Sequence, residues 1–384
     1  MAVAAADPQT ALAPYLPEPP AGRTVVIGAG KGAAQLGQAF EALWQAPYQG
    51  CLVTRYGYGA ECAGLRVLEA AHPVPDAAGL AATDALRAEV LGLGADDLVI
   101  ALICGGGSAL LAAPPEGLSL EDEADLNRAL LASGAPIGAM NAIRCQVSAV
   151  KGGRLAALAS PARVVSLVVS DVPGDDPSQV ASGPTVPNGG DRAAALKAVR
   201  DYRIDLPPRI AAFLETAAQD APRPDDPRLR GNETHVIASA RLSLEAAAAA
   251  SDVPAVILSD AIEGEAREVG RVHAALVREV LLRNRPFAKP VLMLSGGETT
   301  VTLRGSGGRG GRNTEFLLSL AIALDGVAGW QALAADTDGI DGSEDNAGAF
   351  ADGTTCARLR AAGQDPMGLL GSNDAWGAFA AVGD

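Results

Sequence analysis

The sequence predicts an α/β protein with two domains. Continuous apolar runs, which are typical of parallel strands buried on both faces, alternate along the chain with helical patterns. At 384 residues the chain is also longer than one hydrophobic core usually supports. Residues 219–232 are rich in proline, aspartate and arginine and form the best linker in the sequence. We therefore predict an N-terminal domain over residues 1–230 and a C-terminal α/β domain over residues 231–384.

The composition and the net charge of the chain argue against several classes of function. Hydrophobic residues make up 48% of the chain and charged residues 20%, which is typical of a globular protein. The net charge of −15 argues against non-specific binding to nucleic acid or to an anionic membrane, which needs a basic face. The longest apolar run, residues 98–113, is too short for a bilayer, and the N-terminus lacks the pattern of a secretory signal. Five scattered cysteines predict reduced thiols and a cytoplasmic protein.

The first glycine turn follows a strand predicted over residues 24–27 and precedes a helix. It fits the loose dinucleotide fingerprint G-x-G-x-x-A, but the second strand ends in CLVTRYGYG, without the acidic residue that would hold a ribose hydroxyl. The pattern therefore gives little support to a nicotinamide cofactor. Lys31 is one of only four lysines in the chain, so its position inside this turn indicates a function; the alternative is a solvated lysine of the loop.

A second glycine turn follows the buried strand predicted over residues 97–104, in the sequence CGGGSALL. Because N–H groups at the start of a helix attract anions, we expect residues 105–108 to form an anion pocket at the end of this strand. Ser108 has neither a G-x-S-x-G setting nor an evident histidine partner, so we predict that it binds a ligand and is not a nucleophile. His72, in the rigid sequence AHPVPD, is predicted to support a site and not to act in it.

Acidic residues follow the next buried strand, predicted over residues 164–170. Asp171 comes first, and Asp175 and Asp176 lie in the turn after it. Carboxylates at the end of a strand can hold a hydrated Mg²⁺ ion or accept a hydroxyl proton. Asp171 is the best candidate, because the other two fit a simple acidic turn. The remaining helices of this domain are predicted over residues 78–91, 120–132, 140–158 and 191–218.

Residues 291–324 are the predicted centre of the second domain. They read as an apolar strand, a glycine turn, an alternating strand, a glycine loop and a helix. The loop, residues 305–312, holds five glycines and two arginines, so it suits an anion. We predict Asn313 as the N-cap of the helix, whose dipole would act with Arg309 and Arg312 on a phosphate or carboxylate. The alternative is a hairpin connection whose arginines are merely solvated.

Closely spaced aspartates end the last predicted strand, in the sequence DTDGID. Calcium is a poor fit, because the downstream glutamate of an EF-hand is missing. Asp336 and Asp338 are therefore predicted to lie in a Mg²⁺-linked or substrate-facing loop. The other elements of this domain are predicted as strands over residues 235–239 and 255–259 and as helices over residues 242–250 and 264–283.

Seven motifs occur in the order in which one enzyme family carries them. They are GAGKGAA from Gly28, AHPVPD from Ala71, CGGGSALL from Cys104, SDVPGDDPSQVASGPT from Ser170, LSGGETTVT from Leu294, GGRNTE from Gly310 and DTDGIDG from Asp336. Over nearly its whole length the chain resembles the class II glycerate kinases, which end in the so-called MOFRL domain. The resemblance implies an N-terminal Rossmann-like domain, with three layers around a parallel sheet, and a smaller MOFRL-type α/β domain, with a cleft between them. It also implies transfer of the γ-phosphoryl group of Mg-ATP to D-glycerate, typically giving 2-phosphoglycerate.

The resemblance also implies residue roles. Lys31 and Arg312 match the lysine and the arginine that the family is thought to need for catalysis. On this basis we predict Asp171 as a third catalytic group and, together with Asp338, as a Mg²⁺ ligand. We predict that glycerate or nucleotide is bound by Gly28, Gly30, Gly105, Gly106, Gly107, Ser108, Arg144, Lys151, Gly296, Gly297, Glu298, Arg309, Asn313 and Asp336.

The chain departs from that family in three places. Its N-terminal extension is shorter and rich in proline. Residues 143–153 keep Arg144 and Lys151 but lack a lysine and a histidine that relatives commonly have. The chain ends at Asp384, before the final strand and the threonine- and asparagine-rich loop that usually close the second domain. The resemblance therefore implies an incomplete C-terminal sheet.

Two alternative functions stay open from the sequence. An NAD(P)-dependent hydroxypyruvate reductase would use Gly28, Gly30 and Ala33 as its fingerprint. A non-catalytic sensor of a phosphorylated sugar acid would fit the missing lysine and histidine. For the kinase we expect D-glycerate, ATP and Mg²⁺ as ligands, and neither nucleic acid nor membrane as a partner. The sequence leaves open whether a homodimer forms and which phosphoglycerate is the product.

Overall fold

The computed structural model describes residues 1–216, 220–303, 308–337 and 339–384. These residues divide into two compact units, one of residues 4–239 and one of residues 1–3 with 240–384. Both units contain strands and helices, and the C-terminal unit is the smaller. The predicted fold class, an α/β protein with a smaller second domain, is therefore confirmed.

One six-stranded sheet organises the N-terminal unit, and all of its strand pairs are parallel. In chain order its strands are β1 (Thr24–Ala29), β2 (Gln49–Arg55), β3 (Arg66–Ala70), β4 (Leu98–Cys104), β5 (Arg163–Val169) and β6 (Glu233–Ala238). Their spatial order is β3-β2-β1-β4-β5-β6, so the order reverses between β1 and β4. Open α/β sheets bind ligands at the carboxyl ends of the strands beside such a reversal.

Helices cover both faces of this sheet. The helices of residues 1–216 are α1 (Ala2–Ala5), α2 (Pro8–Leu12), α3 (Ala33–Leu43), α4 (Ala77–Val90), α5 (Gly107–Leu110), α6 (Leu120–Ala132), α7 (Ile137–Gln146), α8 (Arg154–Ala159), α9 (Arg192–Asp201) and α10 (Pro208–Thr216). Leu86 of α4 and Leu155 of α8 pack in the core on one face. Leu12 of α2 and Phe40 of α3 pack in the core on the other face. This is the predicted arrangement of three layers, in which β1 and β4 are buried along their whole length.

Two of the helices predicted for this unit are interrupted. The helix predicted over residues 140–158 ends at Gln146 and resumes at Arg154, because Gly152 and Gly153 take positive φ angles of 63° and 83° between them. The helix predicted over residues 191–218 is likewise two helices, α9 and α10. A proline pair at residues 207–208 separates them, since proline cannot donate to the preceding turn.

The N-terminal unit extends beyond the predicted domain boundary at residue 230. β6 pairs in parallel with β5, from Val165 opposite Glu233 to Val169 opposite Ala238. Because these ladder hydrogen bonds hold β6 in the large sheet, the unit continues to residue 239. The strand predicted over residues 235–239 therefore belongs to the first unit and not to the second.

The described part of the C-terminal unit has two two-stranded sheets and its own core. β7 (Ala255–Glu265) pairs in parallel with β8 (Leu292–Thr300), and β9 (Gln331–Ala335) pairs antiparallel with β10 (Gly348–Asp352). The helices are α11 (Ala240–Ala249), α12 (Ala266–Arg283), α13 (Arg312–Ala323), α14 (Thr355–Ala361), α15 (Pro366–Gly371) and α16 (Ala375–Val382). Helix α13 lies at the centre of this core, where its Leu317 and Leu320 pack with Phe379 of α16.

Gly296 and Gly297 lie inside β8 and not in the turn that the sequence predicted. A Cβ built on Gly297, which has a φ of +150°, would lie 2.1 Å from the carbonyl oxygen of Ile262 on β7. The pairing of β7 with β8 is irregular near this point, and only glycine allows so close an approach. The predicted strand, turn and strand are therefore one strand.

Neither a membrane span nor a disulfide occurs in the described parts of the chain. No helix there is both long enough and apolar enough to cross a bilayer. The five cysteines are free thiols. Burial raises the pKa of Cys145 and of Cys356 to about 11, so these two thiols stay protonated at neutral pH.

Gly50 offers a test of how tightly β1 and β2 pack. It has a φ of +148°, and a Cβ there would lie 1.8 Å from the carbonyl oxygen of Val26. We expect Gly50→Ala to lower the free energy of unfolding by about 3 kcal/mol or more, because β2 must move away from β1. Gly92→Ala is the matched control: its φ is +72°, nothing lies within 4 Å of the added Cβ, and it should cost only about 1 kcal/mol. Urea unfolding followed by circular dichroism measures both, and equal losses would contradict the account.

Candidate functional site

The turns that follow β1 and β4 are hydrogen-bonded to each other. The backbone N–H of Lys31 donates to the carbonyl oxygen of Gly105 over 2.9 Å, and that of Gly32 donates to the sulfur of Cys104 over 3.2 Å. A Cβ built on Gly30, whose φ is +132°, would lie 2.3 Å from the carbonyl oxygen of Cys104. Only glycine permits this contact. The structure therefore joins two turns that the sequence predicted separately, at the reversal of strand order.

The side chains of Lys31 and His72 lie close to the turn after β4, and the charge of a third basic residue, Arg55, acts on His72. A Cβ built on Gly106 would lie 3.0 Å from Cγ of Lys31 and 3.3 Å from Nε2 of His72. Arg55, the last residue of β2, is the third, and its guanidinium carbon lies 3.9 Å from the ring centroid of Tyr58. Burial, followed by the positive charges of Lys31 and Arg55, lowers the pKa of His72. The lowered pKa favours the neutral form of the His72 imidazole.

In the part of the chain that the structure describes, neither Lys31 nor Arg55 forms an ion pair with an acidic side chain. A cation that is not held in an ion pair can attract an anionic ligand. Arg55 was not among the predicted residues. Its signal was present in CLVTRYGYG, where it is the basic residue at the end of the second strand.

Asp171 lies against the same turn. Its carboxylate is exposed, and a Cβ built on Gly105 would lie 1.8 Å from its Oδ2, so glycine at position 105 makes room for it. The two later aspartates serve the loop itself. Oδ2 of Asp175 accepts from the hydroxyl of Ser239 over 2.8 Å, and Oδ1 of Asp176 accepts a backbone N–H over 2.9 Å. Asp171 is therefore the carboxylate that the fold brings to the glycine turns.

Of the two residues predicted as Mg²⁺ ligands, Asp171 is the one that the structure describes. No group of three or more histidine, cysteine or acidic side chains able to hold a metal ion lies together there. Asp338, the second predicted ligand, is outside the described residues. In phosphoryl-transfer sites Mg²⁺ usually takes only one or two carboxylates, together with phosphate oxygens of the substrate. An exposed Asp171 beside a turn that suits phosphate fits that use.

The hydroxyl of Ser108 begins a chain of hydrogen bonds that are partly or fully buried. Its Oγ lies 2.7 Å from Oγ of Ser182, which donates to Oδ1 of Asn141 over 2.8 Å. Nη1 of Arg144 donates to the same oxygen over 3.3 Å. The helix predicted to open at this turn is α5, a single turn of four residues, so it adds no substantial dipole. The side chains, and not the helix, give this loop its polarity.

Lys151, predicted to bind a ligand, is engaged by protein partners. Its side chain is 2% exposed, and its Nζ donates to Oε1 of Glu123 and to the carbonyl oxygen of Leu111, each over 2.7 Å. A buried ammonium needs such partners, because leaving it unpaired would cost several kcal/mol. In this structure Lys151 therefore forms part of the wall of the site, and its charge is neutralised by Glu123.

In the C-terminal unit Arg312 is neutralised by two residues that were predicted to bind a ligand. Its Nη2 lies 2.8 Å from Oδ2 of Asp336, and its Nη1 pairs with Glu298. Burial acts to lower the pKa of Arg312, but the hydrogen bonds and charges of Asp336 and Glu298 outweigh burial and raise it. The fold thus brings these three residues together as an ion-pair network.

The N-terminus of α13 already carries a carboxylate of the protein. Asp341 is fully buried; its Oδ1 accepts the N–H of Asn313 over 2.9 Å and its Oδ2 accepts the N–H of Thr314 over 2.9 Å. The N-cap is Gly311, so the prediction of Asn313 as the N-cap is wrong. Because Asp341 takes these first-turn N–H groups, they are not offered to a phosphate as the sequence predicted.

The predicted glycine loop is described only over residues 308–312, and Gly305 lies outside the described residues. Arg309 is exposed, with its guanidinium carbon 4.1 Å from the ring centroid of Trp376. Its Nε also lies 3.9 Å from a carboxylate oxygen of Asp374. Stacking on an aromatic ring limits the freedom of an arginine and leaves its N–H groups available.

Comparison with known proteins finds similarity along the whole chain. Residues 1–215 match a family described as a domain of unknown function, DUF4147, and residues 291–384 match the MOFRL family. A protein of Agrobacterium vitis that carries the provisional name hydroxypyruvate reductase is 49% identical over 388 residues, which is 100% of this chain and 88% of that protein. The D-glycerate 2-kinase of Thermotoga maritima is 37% identical over 382 residues, 98% of this chain and 90% of that protein.

Two solved structures are similar to this chain over its whole length. The crystal structure of a glycerate kinase from Thermotoga maritima superposes with a TM-score of 0.88 at 36% identity, over 100% of this chain and 92% of that one. A Pyrococcus horikoshii protein superposes with a TM-score of 0.81 at 34% identity, over 100% of this chain and 91% of that one.

The pKa of His72 is sensitive to the charges of Lys31 and Arg55. Because the charges of Lys31 and Arg55 help to lower the pKa of His72, we expect Arg55→Gln to raise it. Proton NMR titration of the histidine ring signals measures this change. Arg128→Gln, on the exposed face of α6, is the control and should leave the titration of His72 unchanged. An unshifted His72 in Arg55→Gln would show that the two side chains are not close.

Proposed function

Because the chain belongs to the family of glycerate kinases that combines a DUF4147 domain with a MOFRL domain, we propose that it phosphorylates D-glycerate with ATP. We further propose that the 2-hydroxyl is the acceptor, so that the products are 2-phosphoglycerate and ADP. In this reaction a bond forms between the hydroxyl oxygen and the γ-phosphorus. The bond from that phosphorus to the bridging oxygen breaks, and ADP leaves with its electron pair.

One observation carries the proposal: Lys31, which forms no ion pair with a carboxylate of the described residues, lies beside two glycine turns at the reversal of strand order. Lys31 comes from the turn after β1, and residues 105–108 form the turn after β4. The transferring phosphoryl group spreads negative charge over its oxygens, and fixed positive charge at that place lowers the barrier. We assign this role to Lys31. Arg55 supplies a second cation to the same cluster.

Asp171 is the carboxylate that we assign to the hydroxyl. A phosphoryl acceptor must lose its proton during the reaction, and an exposed carboxylate beside the glycine turn is suited to take it. The same carboxylate, with Asp338, is the proposed protein ligand of Mg²⁺. When bound, this ion would neutralise charge on the phosphate oxygens of ATP.

In the C-terminal unit we assign Arg312 to the phosphoryl group as well. Asp336 and Glu298 hold its planar guanidinium in one orientation, and Asp341 fixes the helix end from which it projects. Preorganised cations of this kind lose little freedom when the transition state forms. Arg309, Asn313 and the glycines of the loop remain proposed binding groups of the same unit.

A direct assay tests the proposed reaction. The full chain is incubated with Mg-ATP and D-glycerate, ADP release is followed, and the product is identified by phosphorus NMR. We expect ADP release that depends on glycerate, together with the signal of 2-phosphoglycerate. The signal of 3-phosphoglycerate would move the reaction to the other hydroxyl. Bound glycerate without ADP release would reject the kinase and favour the sensor.

Substitution of the two proposed cations tests their roles. We expect Lys31→Ala and Arg312→Ala each to lower kcat by about two to three orders of magnitude, because each loses charge stabilisation in the transition state. Steady-state rates with both substrates saturating give kcat. Lys197→Ala is a matched control, since this lysine lies on the exposed surface of α9 and pairs with Asp201. Near-native kcat in either variant would refute the role of that residue.

A second candidate function follows from Arg55. In dinucleotide-binding sheets of this strand order, an arginine near the end of the second strand accommodates the 2′-phosphate of NADP. A reductase of hydroxypyruvate that uses NADPH would fit this position. Titration of the protein with NADPH, followed by nicotinamide fluorescence, separates the two functions. Saturable binding with oxidation of NADPH by hydroxypyruvate would favour the reductase, and the absence of both would exclude it.

A further inference from the structure

Arg144 holds a half-buried positive charge that no carboxylate of the described residues neutralises by an ion pair. Its Nη2 donates to Oδ1 of Asn127 over 2.8 Å, and its Nη1 donates to Oδ1 of Asn141 over 3.3 Å; both acceptors are neutral amides. Burial lowers the pKa of Arg144, because the charged form loses hydration. A guanidinium removed from water without an opposite charge is costly, so the site favours an anion.

One positive charge is left over in the small pocket that Arg144 lines. Lys151 and Glu123 line it as well, but they neutralise each other through a contact of 2.7 Å. The second oxygen of Glu123 accepts the N–H of Ala113 over 2.9 Å. The volume of the pocket is about 10 Å³, which is room for a single oxygen-sized group. The pocket therefore suits one oxygen of an anionic group and not a whole phosphate.

The groups that hold Arg144 are oriented by their own partners. Nδ2 of Asn127 donates to the carbonyl oxygen of Pro73 over 2.6 Å, so its amide oxygen faces the guanidinium. Nδ2 of Asn141 donates to the carbonyl oxygen of Gln179 over 3.0 Å, with the same consequence. Fixed acceptors on two of its nitrogens preorganise the arginine for a ligand.

The same network makes Ser108 an acceptor towards the pocket. Oδ1 of Asn141 can only accept, so Ser182 must donate to it. The single hydroxyl proton of Ser182 is then used, and in the contact of 2.7 Å Ser108 is the donor. Oγ of Ser108, which also lines the pocket, keeps lone pairs for a hydroxyl of the ligand. A cation next to a hydroxyl acceptor matches a hydroxy acid.

We propose that Arg144 binds the carboxylate of the substrate, with one carboxylate oxygen in the pocket, and that Ser108 accepts from the hydroxyl that is not phosphorylated. This inference rests on the proposed phosphorylation of D-glycerate and adds its specificity. Arg144 selects a hydroxy acid over a neutral polyol of the same size. Lys151 and Glu123 form the wall that keeps the pocket to the size of one oxygen.

The test compares an acid with its neutral isostere. Binding of D-glycerate and of D-glyceramide to the full chain is measured by calorimetry for the wild type and for Arg144→Gln. We expect the wild type to prefer the acid, and Arg144→Gln to weaken binding of the acid by about 10- to 100-fold with little change for the amide. Arg154→Gln is the matched control. That arginine is also half-buried, but it donates to carbonyl oxygens of Cys145 and Lys151 and does not line the pocket, so the preference should persist.

Each outcome decides for or against the inference. Equal losses for both ligands in Arg144→Gln, or an unchanged affinity for the acid, would overturn it, and so would a wild type without preference for the acid. Preference for the acid without any ADP release would reject the kinase function and support the carboxylate site. ADP release without that preference would support the kinase function and reject the carboxylate site.

Discussion

Parallel pairing of six strands is the constraint on which the candidate site depends. In a parallel sheet all strands run in one direction, so the residues that follow them emerge at one edge. The turns after β1 and β4 also touch, because the strands themselves pack closely. A Cβ built on Gly28 would lie 2.7 Å from Leu52 on β2 and 2.8 Å from the carbonyl oxygen of Leu102 on β4. Loss of this packing would separate the turns that carry Lys31 and Ser108.

The arginines of this protein differ in whether a carboxylate neutralises their charge. Arg267 in the C-terminal unit is buried and donates from Nε to Oε1 of Glu315 over 2.6 Å, so that pair serves the core between α12 and α13. Arg312 is also neutralised, but at a helix end where part of it remains accessible. Arg55 and Arg144 have no such acidic partner among the described residues. In a chain with a net charge of −15, local positive charge of this kind is where we expect an anionic ligand.

The sequence predicted β1, β4 and β5 and the turns after them, because the signals of these elements are local. Apolar runs gave β1, β4 and β5, and the glycines after them marked the turns that carry Lys31 and Asp171. Contacts between residues that are distant in sequence leave no local pattern from which they could be predicted. That Asp341 would cap α13, that β6 would join the first sheet and that Arg55 would meet His72 all depend on residues distant in sequence. The roles of Lys31, Arg312 and Asp171 stay predictions.

The central claim is that reactants are held at the edge of the sheet where the turns after β1 and β4 meet. Hydrogen–deuterium exchange of the full chain, with and without 2-phosphoglycerate, tests this claim without any substitution. The account predicts that the ligand slows exchange at the backbone amides of residues 30–32 and 105–108. Protection confined to other segments, with none in these two turns, would contradict it.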